Sequence, residues 1–200
     1  MPVGQWLMKE ACHKLSQWQQ HESMSHLKLS VNISMKEFME DGFVRQVHQT
    51  IEASGVDSAS LELEITESIG HSNPEELIEK LHLLRLADLK LAMDDFGTGY
   101  SSLSYLKKLP LDVLKIDQSF VRDLGVDISD ESIVQAIIKV GETLGLEVIA
   151  EGVESEEQFK LLKQYGCRKF QGYYFGRPVP AEEFEQEFLF ESPILEGSGV

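Results

Sequence analysis

Oxygen-bearing side chains recur along this chain at the ends of short apolar segments. They are Asn32, Glu64, Asp94, Asp95, Asp117, Glu151 and Gln171. Carboxylate and amide oxygens are the ligands that hard divalent cations prefer, so the set favours magnesium, manganese or calcium over structural zinc. Two such ions close together would suit in-line attack on a phosphodiester. The residues therefore predict a metal-bearing active site.

Two adjacent carboxylates, Asp94 and Asp95, end the apolar run LKLAMDDF. Neighbouring strand residues point to opposite faces, so both can meet one ion cluster only if the strand ends there and the backbone turns. Gly97 and Gly99 follow at once and permit backbone conformations that other residues avoid. A divalent cation is the simplest way to keep both carboxylates ionised. The alternative is a helix-capping Asp beside a solvated Asp.

Other polar residues lie within or just after apolar segments. Glu62 and Glu64 share one face, whereas Glu67 lies where the strand gives way to a loop. One of these could bind metal and another could brace a loop. Lys115 lies in an apolar strand and should face carboxylates or a phosphate, or form a structural salt bridge. Asn32 offers a neutral oxygen, although an Asn before a helix is also a good N-cap.

Six predicted β-strands carry these residues. They cover 27–34, 61–67, 89–96, 113–117, 147–153 and 169–175. Helical sequences separate them, and this alternation implies a mostly parallel sheet covered by helices. The carboxyl ends of parallel strands meet at one edge of such a sheet. We therefore expect the polar residues to converge at that edge.

Three helices have clear sequence signals. The first should bury an apolar stripe formed by Val3, Trp6, Leu7, Ala11, Leu15 and Trp18. The second has Asn73 as its cap and Pro74 as its first residue. Its buried face should consist of Leu77, Leu81 and Leu84. The third has capping-box spacing between Ser155 and Gln158.

Composition fits one domain with a sizeable core, since 42% of the 200 residues are hydrophobic. We assign residues 1–190 to this domain and 191–200 to a C-terminal tail without periodicity. The chain has 18 Lys and Arg against 34 Asp and Glu, a net charge of −16. That sign disfavours DNA, RNA and anionic membranes as partners, and an anionic substrate would need local cations.

The sequence shows no sign of a membrane span or a secretory signal. No apolar run reaches roughly 18 residues, and the N-terminus lacks a basic region followed by an apolar one. The chain has only two cysteines, Cys12 and Cys167, which are far apart and form no CxxC motif. We therefore expect reduced thiols, as in cytosolic proteins. We therefore expect a cytoplasmic protein, or the cytoplasmic part of a larger one.

Taken together, the motifs resemble the EAL domain, the cyclic di-GMP phosphodiesterase domain of bacteria. They are VNIS around Asn32, EITE at 64–67, DDFGTGYSSL at 94–103, KID at 115–117, EGVE at 151–154 and QGYYFGRP at 171–178. The opening GQWLMKEAC resembles the first helix of the family. The resemblance implies a TIM-type (β/α)8 barrel that hydrolyses cyclic di-GMP to linear pGpG with two magnesium or manganese ions.

The resemblance also implies a role for each motif residue. The residues that resemble metal ligands are Asn32, Glu64, Asp94, Asp95 and Glu151. Lys115 resembles the lysine that orients the attacking water, and it forms the expected catalytic set with Asp95 and Glu151. Glu67 resembles the glutamate that anchors the loop from Phe96 to Ser102, which in this family links dimerisation to metal binding. Asp117 and Glu154 are expected to line the pocket, and Gln171 to hold the site.

One family feature is missing from this sequence. The Glu-Ala-Leu strand, with a ligand glutamate and a nearby arginine, is not found, and about six of the eight barrel strands can be counted. The sequence fits a fragment of a longer parent with a sensory or GGDEF-type domain, a barrel completed by a second chain, or a shortened relative. A homodimer is expected through the helix after DFGTGYSS and the wall that the missing strands expose.

Three functions follow from these observations. The first is a cyclic di-GMP phosphodiesterase. The second is a catalytically inactive domain that binds cyclic di-GMP or a protein partner in bacterial signalling, and the missing glutamate favours it. The third, based on the barrel alone, is a metal-dependent enzyme acting on sugar phosphates or enolates.

Overall fold

One sheet of six parallel strands organises the computed structural model, which describes residues 3–67, 74–99 and 103–190. The strands are β1 (Leu29–Asn32), β2 (Leu61–Thr66), β3 (Lys90–Phe96), β4 (Val113–Ile116), β5 (Glu147–Ala150) and β6 (Lys169–Phe170). Each strand pairs with its successor in the sequence. This sequential order is that of a barrel wall, whereas a doubly wound sheet reverses its order. The fold is therefore α/β, with a half-barrel of the TIM type.

The helices alternate with the strands. The described residues form α1 (Val3–Trp18), α2 (Met35–Met39), α3 (Phe43–Ser54), α4 (Pro74–Arg85), α5 (Leu103–Leu106), α6 (Gln118–Arg122), α7 (Ile128–Leu144), α8 (Glu156–Gln164) and α9 (Ala181–Phe190). Right-handed crossovers between neighbouring parallel strands place connecting helices on one face of a sheet. Within the described ranges, no helix has the length and apolar character needed to cross a membrane.

Alternating side chains point to opposite faces of the sheet, and the charged residues of the strands share one face with a few apolar residues such as Ala92 and Val113. On β2, Leu61, Leu63 and Ile65 are buried in the hydrophobic core. Glu62 and Glu64 lie between them in the sequence and point to the opposite face. Burial of each large apolar side chain stabilises the fold by about 1.5–3 kcal/mol, so the core decides which face the carboxylates take.

All six predicted strands are present, but the first is Leu29–Asn32 and not 27–34, the fifth ends at Ala150 and not at 153, and the sixth is the most shortened. It ends at Phe170, and the chain then turns, with the Phe175 N–H donating to the Gly172 carbonyl at 3.1 Å. A Cβ at Gly172 would lie 2.1 Å from the carbonyl oxygen of Val153. The turn therefore lies directly against the chain that follows β5, which only a glycine permits. The prediction that the strand continues to residue 175 is wrong.

Two helix predictions are confirmed. The buried face of α4 consists of Leu77, Leu81 and Leu84. Ser155 and Gln158 form the capping box of α8, in which each side chain bonds the backbone N–H of the other residue. The predicted cap of α4, Asn73, lies outside the described residues, and so does the predicted tail 191–200.

The apolar stripe predicted for α1 is wrong in part. The fully buried residues are Met8, Ala11, Cys12 and Leu15. Val3, Trp6 and Leu7, which were predicted to be buried, are 79%, 51% and 41% exposed. Because Met8 and Cys12 complete the spacing of three and four residues, the buried face is rotated away from Trp6. Trp18, at the end of the helix, contacts Phe184 of α9 with ring centroids 5.4 Å apart.

Candidate active site

A buried lysine lies at the centre of the face that carries the charged residues. Lys115 on β4 is 2% exposed. Its Nζ lies 2.6 Å from Glu64 Oε2, 2.7 Å from Glu151 Oε1 and 3.2 Å from Asp94 Oδ1. Burial alone would lower the pKa of Lys115, but hydrogen bonds and charges from Glu151 and Glu64 outweigh it and hold the pKa above its ordinary value. Lys115 is therefore a charged group that joins β2, β3 and the segment directly after β5.

The two adjacent aspartates converge because the backbone turns at the second of them. Asp95 has a φ of 54°, in the left-handed region. The pairing of β3 with β4 shifts its register between Met93 and Phe96, and the Asp95 N–H donates to Asp94 Oδ1 at 3.0 Å. Asp94, Asp95 and Glu151 can each offer an oxygen within 4.8 Å of the other two. The change of backbone direction expected from Gly97 and Gly99 thus occurs earlier, as an irregularity within β3 at the aspartate itself.

Crowding of these carboxylates disfavours their charged forms. Burial raises the pKa of Glu151 to about 7, and nearby Asp94 adds to the rise while Lys115 opposes it. Burial also raises the pKa of Asp95, with further contributions from Asp94 and Asp117. An all-oxygen donor set in which carboxylates repel one another fits a hard divalent cation, which would offset the repulsion.

Asn32 lies beside Glu64 at the carboxyl end of the sheet. The two residues are register partners across β1 and β2, and the Ile33 N–H donates to the Glu64 carbonyl at 2.9 Å. Asn32 is not the cap of α2, because Ser34 fills that position and forms a capping box with Glu37. The side chain of Asn32 is exposed. It is therefore placed next to the carboxylate cluster without a helix-capping role.

Glu62 and Glu67 occupy different environments from Glu64. Glu62 accepts a hydrogen bond from Ser30 Oγ at 3.0 Å, and burial raises its pKa. Glu67 is 4% exposed, and its Oε2 accepts from the N–H groups of Gly97 at 3.0 Å and Gly99 at 2.9 Å. Glu67 therefore binds the first part of the loop after β3. Residues 100–102 of that loop lie outside the described chain.

A cavity of about 430 Å³ opens beside the cluster. Its lining residues are Asp95, Asp117, Gln118, Glu151, Gly152, Glu154, Gln171, Gly172 and Tyr173. It thus brings together five of the predicted site residues, while the other predicted ligands and Lys115 lie outside its lining. Asp117 has a second task, because its side chain accepts from the Ser119 N–H at 2.9 Å and caps α6. The side chain of Gln171 is exposed, and its backbone bonds to Ala150 at 2.8 Å.

Four lining residues were not predicted: Gln118, Gly152, Gly172 and Tyr173. Gln118 directly follows the KID motif and Tyr173 lies within QGYYFGRP, so their positions next to motif residues were the available signal. A larger cavity of about 440 Å³, between α1 and α3, is lined by Met8, Phe43 and Val47 among others. This cavity lies away from the carboxylate cluster. The smaller cavity is lined by carboxylates of that cluster, and it is therefore the candidate active site.

Comparison with known proteins gives one consistent result. A sequence model of the EAL domain matches residues 2–178. The chain is 39% identical over 181 residues to the bifunctional diguanylate cyclase/cyclic di-GMP phosphodiesterase MucR of Pseudomonas aeruginosa, covering 90% of this chain and 26% of MucR. Among the first curated relatives, the chain spans about a quarter of their length, from 22% to 26%.

Solved structures agree with the sequence comparison. The PaMucR phosphodiesterase in its c-di-GMP complex has a TM-score of 0.88 and 38% identity, and the match covers 91% of this chain and 73% of that one. The manganese/cy-diGMP complex of Klebsiella pneumoniae BlrP1 has a TM-score of 0.78 and 30% identity, over 88% of this chain and 44% of that one.

Proposed function

The chain belongs to the EAL domain family, and from that premise we propose that it is a metal-dependent phosphodiesterase that hydrolyses cyclic di-GMP to linear pGpG. The observation that carries the proposal is the convergence of Asp94, Asp95 and Glu151 beside a cavity at the carboxyl end of the sheet. MucR, named as a bifunctional diguanylate cyclase/cyclic di-GMP phosphodiesterase, and NbdA, named as a cyclic di-GMP phosphodiesterase, support the choice of reaction.

Two magnesium or manganese ions are the proposed cofactors. The residues that would hold them are Asn32, Glu64, Asp94, Asp95 and Glu151. Divalent ions bound there would neutralise the phosphodiester and activate water as a nucleophile. The manganese complex of the similar BlrP1 supports this assignment.

The remaining residues bind and orient. The Nζ of Lys115 holds Glu64 and Glu151 in place by bonds of 2.6 and 2.7 Å, and in the proposed reaction it orients the attacking water. Asp117 and Glu154 present acceptor oxygens to the cavity. Guanine carries N–H donors on its edge, so these carboxylates fit that base.

Hydrolysis by the purified chain tests this proposal. Cyclic di-GMP would be incubated with the protein and manganese, and pGpG followed by chromatography. Asp95→Asn is the matched variant, because it keeps the shape of the side chain and removes its charge. We expect a loss of about 10²-fold or more, since residues behind metal ligands already cost 10–100-fold when changed. Activity that persists unchanged in the variant would contradict the proposed site.

The second candidate is a catalytically inactive domain that binds cyclic di-GMP or a protein partner. It is favoured by one observation, that a similar structure is the c-di-GMP complex of PaMucR, since binding of the nucleotide does not by itself require hydrolysis. Binding of cyclic di-GMP by the wild-type chain without formation of pGpG would support this candidate over the enzyme.

Further partners belong to the same proposal. We propose a cytoplasmic location, an upstream sensory or GGDEF-type domain in a longer parent, and a homodimer that includes α5, the helix after the Glu67-bound loop. Leu103, the first residue of α5, is 58% exposed, which supports an interface there. Sedimentation should give a dimer at micromolar concentration and a monomer for Leu103→Asp. A compact wild-type monomer would contradict the dimer.

A further inference from the structure

Three consecutive aromatic residues follow β6, and two of them anchor the turn. Phe159 of α8 contacts Phe170 at 4.8 Å, Phe175 at 5.7 Å and Tyr174 at 5.9 Å between ring centroids. These contacts combine edge-on and stacked arrangements, which aromatic pairs favour. Packing therefore explains Tyr174 and Phe175, but it leaves Tyr173 to be explained.

Tyr173 lines the candidate active site. Its side chain is 51% exposed and borders the cavity that also contains Asp95 and Glu151. The backbone on both sides is fixed, because the Tyr174 N–H donates to the Val153 carbonyl at 3.0 Å and the Val153 N–H donates to the Gln171 carbonyl at 3.0 Å. A half-exposed aromatic ring is thus held at a defined place on the rim of the cavity.

A cation lies against this ring. The guanidinium carbon of Arg177 is 4.5 Å from the centroid of the Tyr173 ring, a cation–π contact. The cavity itself is lined by four carboxylates, those of Asp95, Asp117, Glu151 and Glu154. Arg177 therefore places a positive charge at the rim of an otherwise acidic pocket, where an anionic ligand would need one.

A planar ring, a neighbouring cation and acceptor carboxylates together match a nucleotide. Bases stack on aromatic side chains, and arginine donates to phosphate oxygens. On this ground we propose that Tyr173 is the surface on which one guanine of cyclic di-GMP stacks, and that Arg177 fixes the ring and contacts the adjoining phosphate. The inference rests on the proposed substrate. It assigns recognition of the guanine base to Tyr173 and Arg177 at the rim of the cavity, outside the carboxylate cluster.

Binding and kinetics of matched variants test this role. Cyclic di-GMP would be titrated calorimetrically into the protein in calcium, and KM and kcat would be measured in manganese. We expect Tyr173→Ala to weaken binding and raise KM by about 5- to 100-fold, the range for loss of one stacked base, with kcat little changed. Tyr173→Trp should restore binding, because it keeps a stacking surface. Arg177→Ala should weaken binding in the same direction.

Tyr174→Ala is the matched control, since it removes the same side chain from the packed side of the same turn. It should lower the melting temperature while changing affinity less than about twofold, a shift small beside that of a lost stacked base. Equal weakening by both alanine variants, or wild-type affinity in Tyr173→Ala, would overturn the stacking role alone. A wild-type chain that does not bind cyclic di-GMP would overturn both this inference and the proposed function. Binding without turnover would overturn only the proposed hydrolysis.

Discussion

Asp95 shows how one backbone angle decides the chemistry of the site. In an extended strand Asp94 and Asp95 would point to opposite faces. The left-handed φ of 54° at Asp95 brings both carboxylates to the cluster with Glu151. The sequence indicated a turn through Gly97 and Gly99. The sequence could not show that Asp95 itself adopts the left-handed conformation, because Asp is found both at the ends of strands and in the left-handed region.

This angle predicts unequal effects of two substitutions. Asp95→Ala should destabilise the protein by about 1 kcal/mol more than Asp95→Asn, because Asn tolerates the left-handed region and Ala does not. Denaturant unfolding measures the difference from the two midpoints. Asp94→Ala and Asp94→Asn are the control pair, since Asp94 is a strand residue without a positive φ. An equal difference at both positions would count against the role of the angle.

Glu151 predicts a pH dependence of the metal-free protein. Its pKa is about 7 in the folded state against an ordinary 4.5, so the folded protein keeps a proton that the unfolded chain has lost. The stability from this group is therefore full below pH 4.5 and is lost as the pH rises through about 7. Unfolding midpoints in chelator would show wild type losing stability across this window relative to Glu151→Gln. Parallel pH curves would refute the prediction.

At the scale of elements, the sequence predicted the strands well and their ends less well. The apolar periodicity of β2 and the caps of α8 are local signals, and both are confirmed. The end of β6 is set by the approach of Gly172 to Val153, a contact between residues far apart in the sequence. The carboxylate cluster was expected from its motifs. Gln118 and Tyr173 line the cavity because of the way in which the loops after β4 and β6 fold, and the periodicity of the sequence does not predict this.

Gly172 predicts a local defect when it is enlarged. A Cβ there would lie 2.1 Å from the Val153 carbonyl oxygen and 2.3 Å from its nitrogen, both rigid backbone atoms. Gly172→Ala should destabilise the protein by about 1–3 kcal/mol, the usual range for overpacking. Gly176→Ala is the control, because nothing lies within 4 Å of a Cβ at that position, and it should change stability by less than about 0.5 kcal/mol. Similar unfolding midpoints for the two variants would show that the turn can move.

At the scale of the whole molecule, negative charge is in excess and is unevenly distributed. The chain carries a net charge of −16, and its half-barrel gathers carboxylates on one face. Lys115 is a cation that carboxylates of β2, β3 and the segment after β5 share there. The metal-free protein should therefore stay folded, since the ammonium partly neutralises the cluster.

Chelation of wild type and Lys115→Met tests this balance. In chelator, wild type should unfold in one cooperative transition, whereas Lys115→Met should lose about 3–5 kcal/mol, the cost of breaking a buried ion pair. Manganese should recover part of that loss by binding the folded state. Lys139→Met is the control, because Lys139 is 77% exposed in its pair with Glu142, and it should change stability by less than about 0.5 kcal/mol. A wild type that unfolds in chelator would contradict the prediction.

The shared ammonium of Lys115 has a consequence for the life of the protein in a cell. A site that needs its ions to stay folded would expose the chain to proteases whenever the metal supply falls. Because the Lys115 ammonium supplies positive charge without metal, the proposed enzyme would instead lose its activity but remain folded. Its activity would return with the metal, without new synthesis.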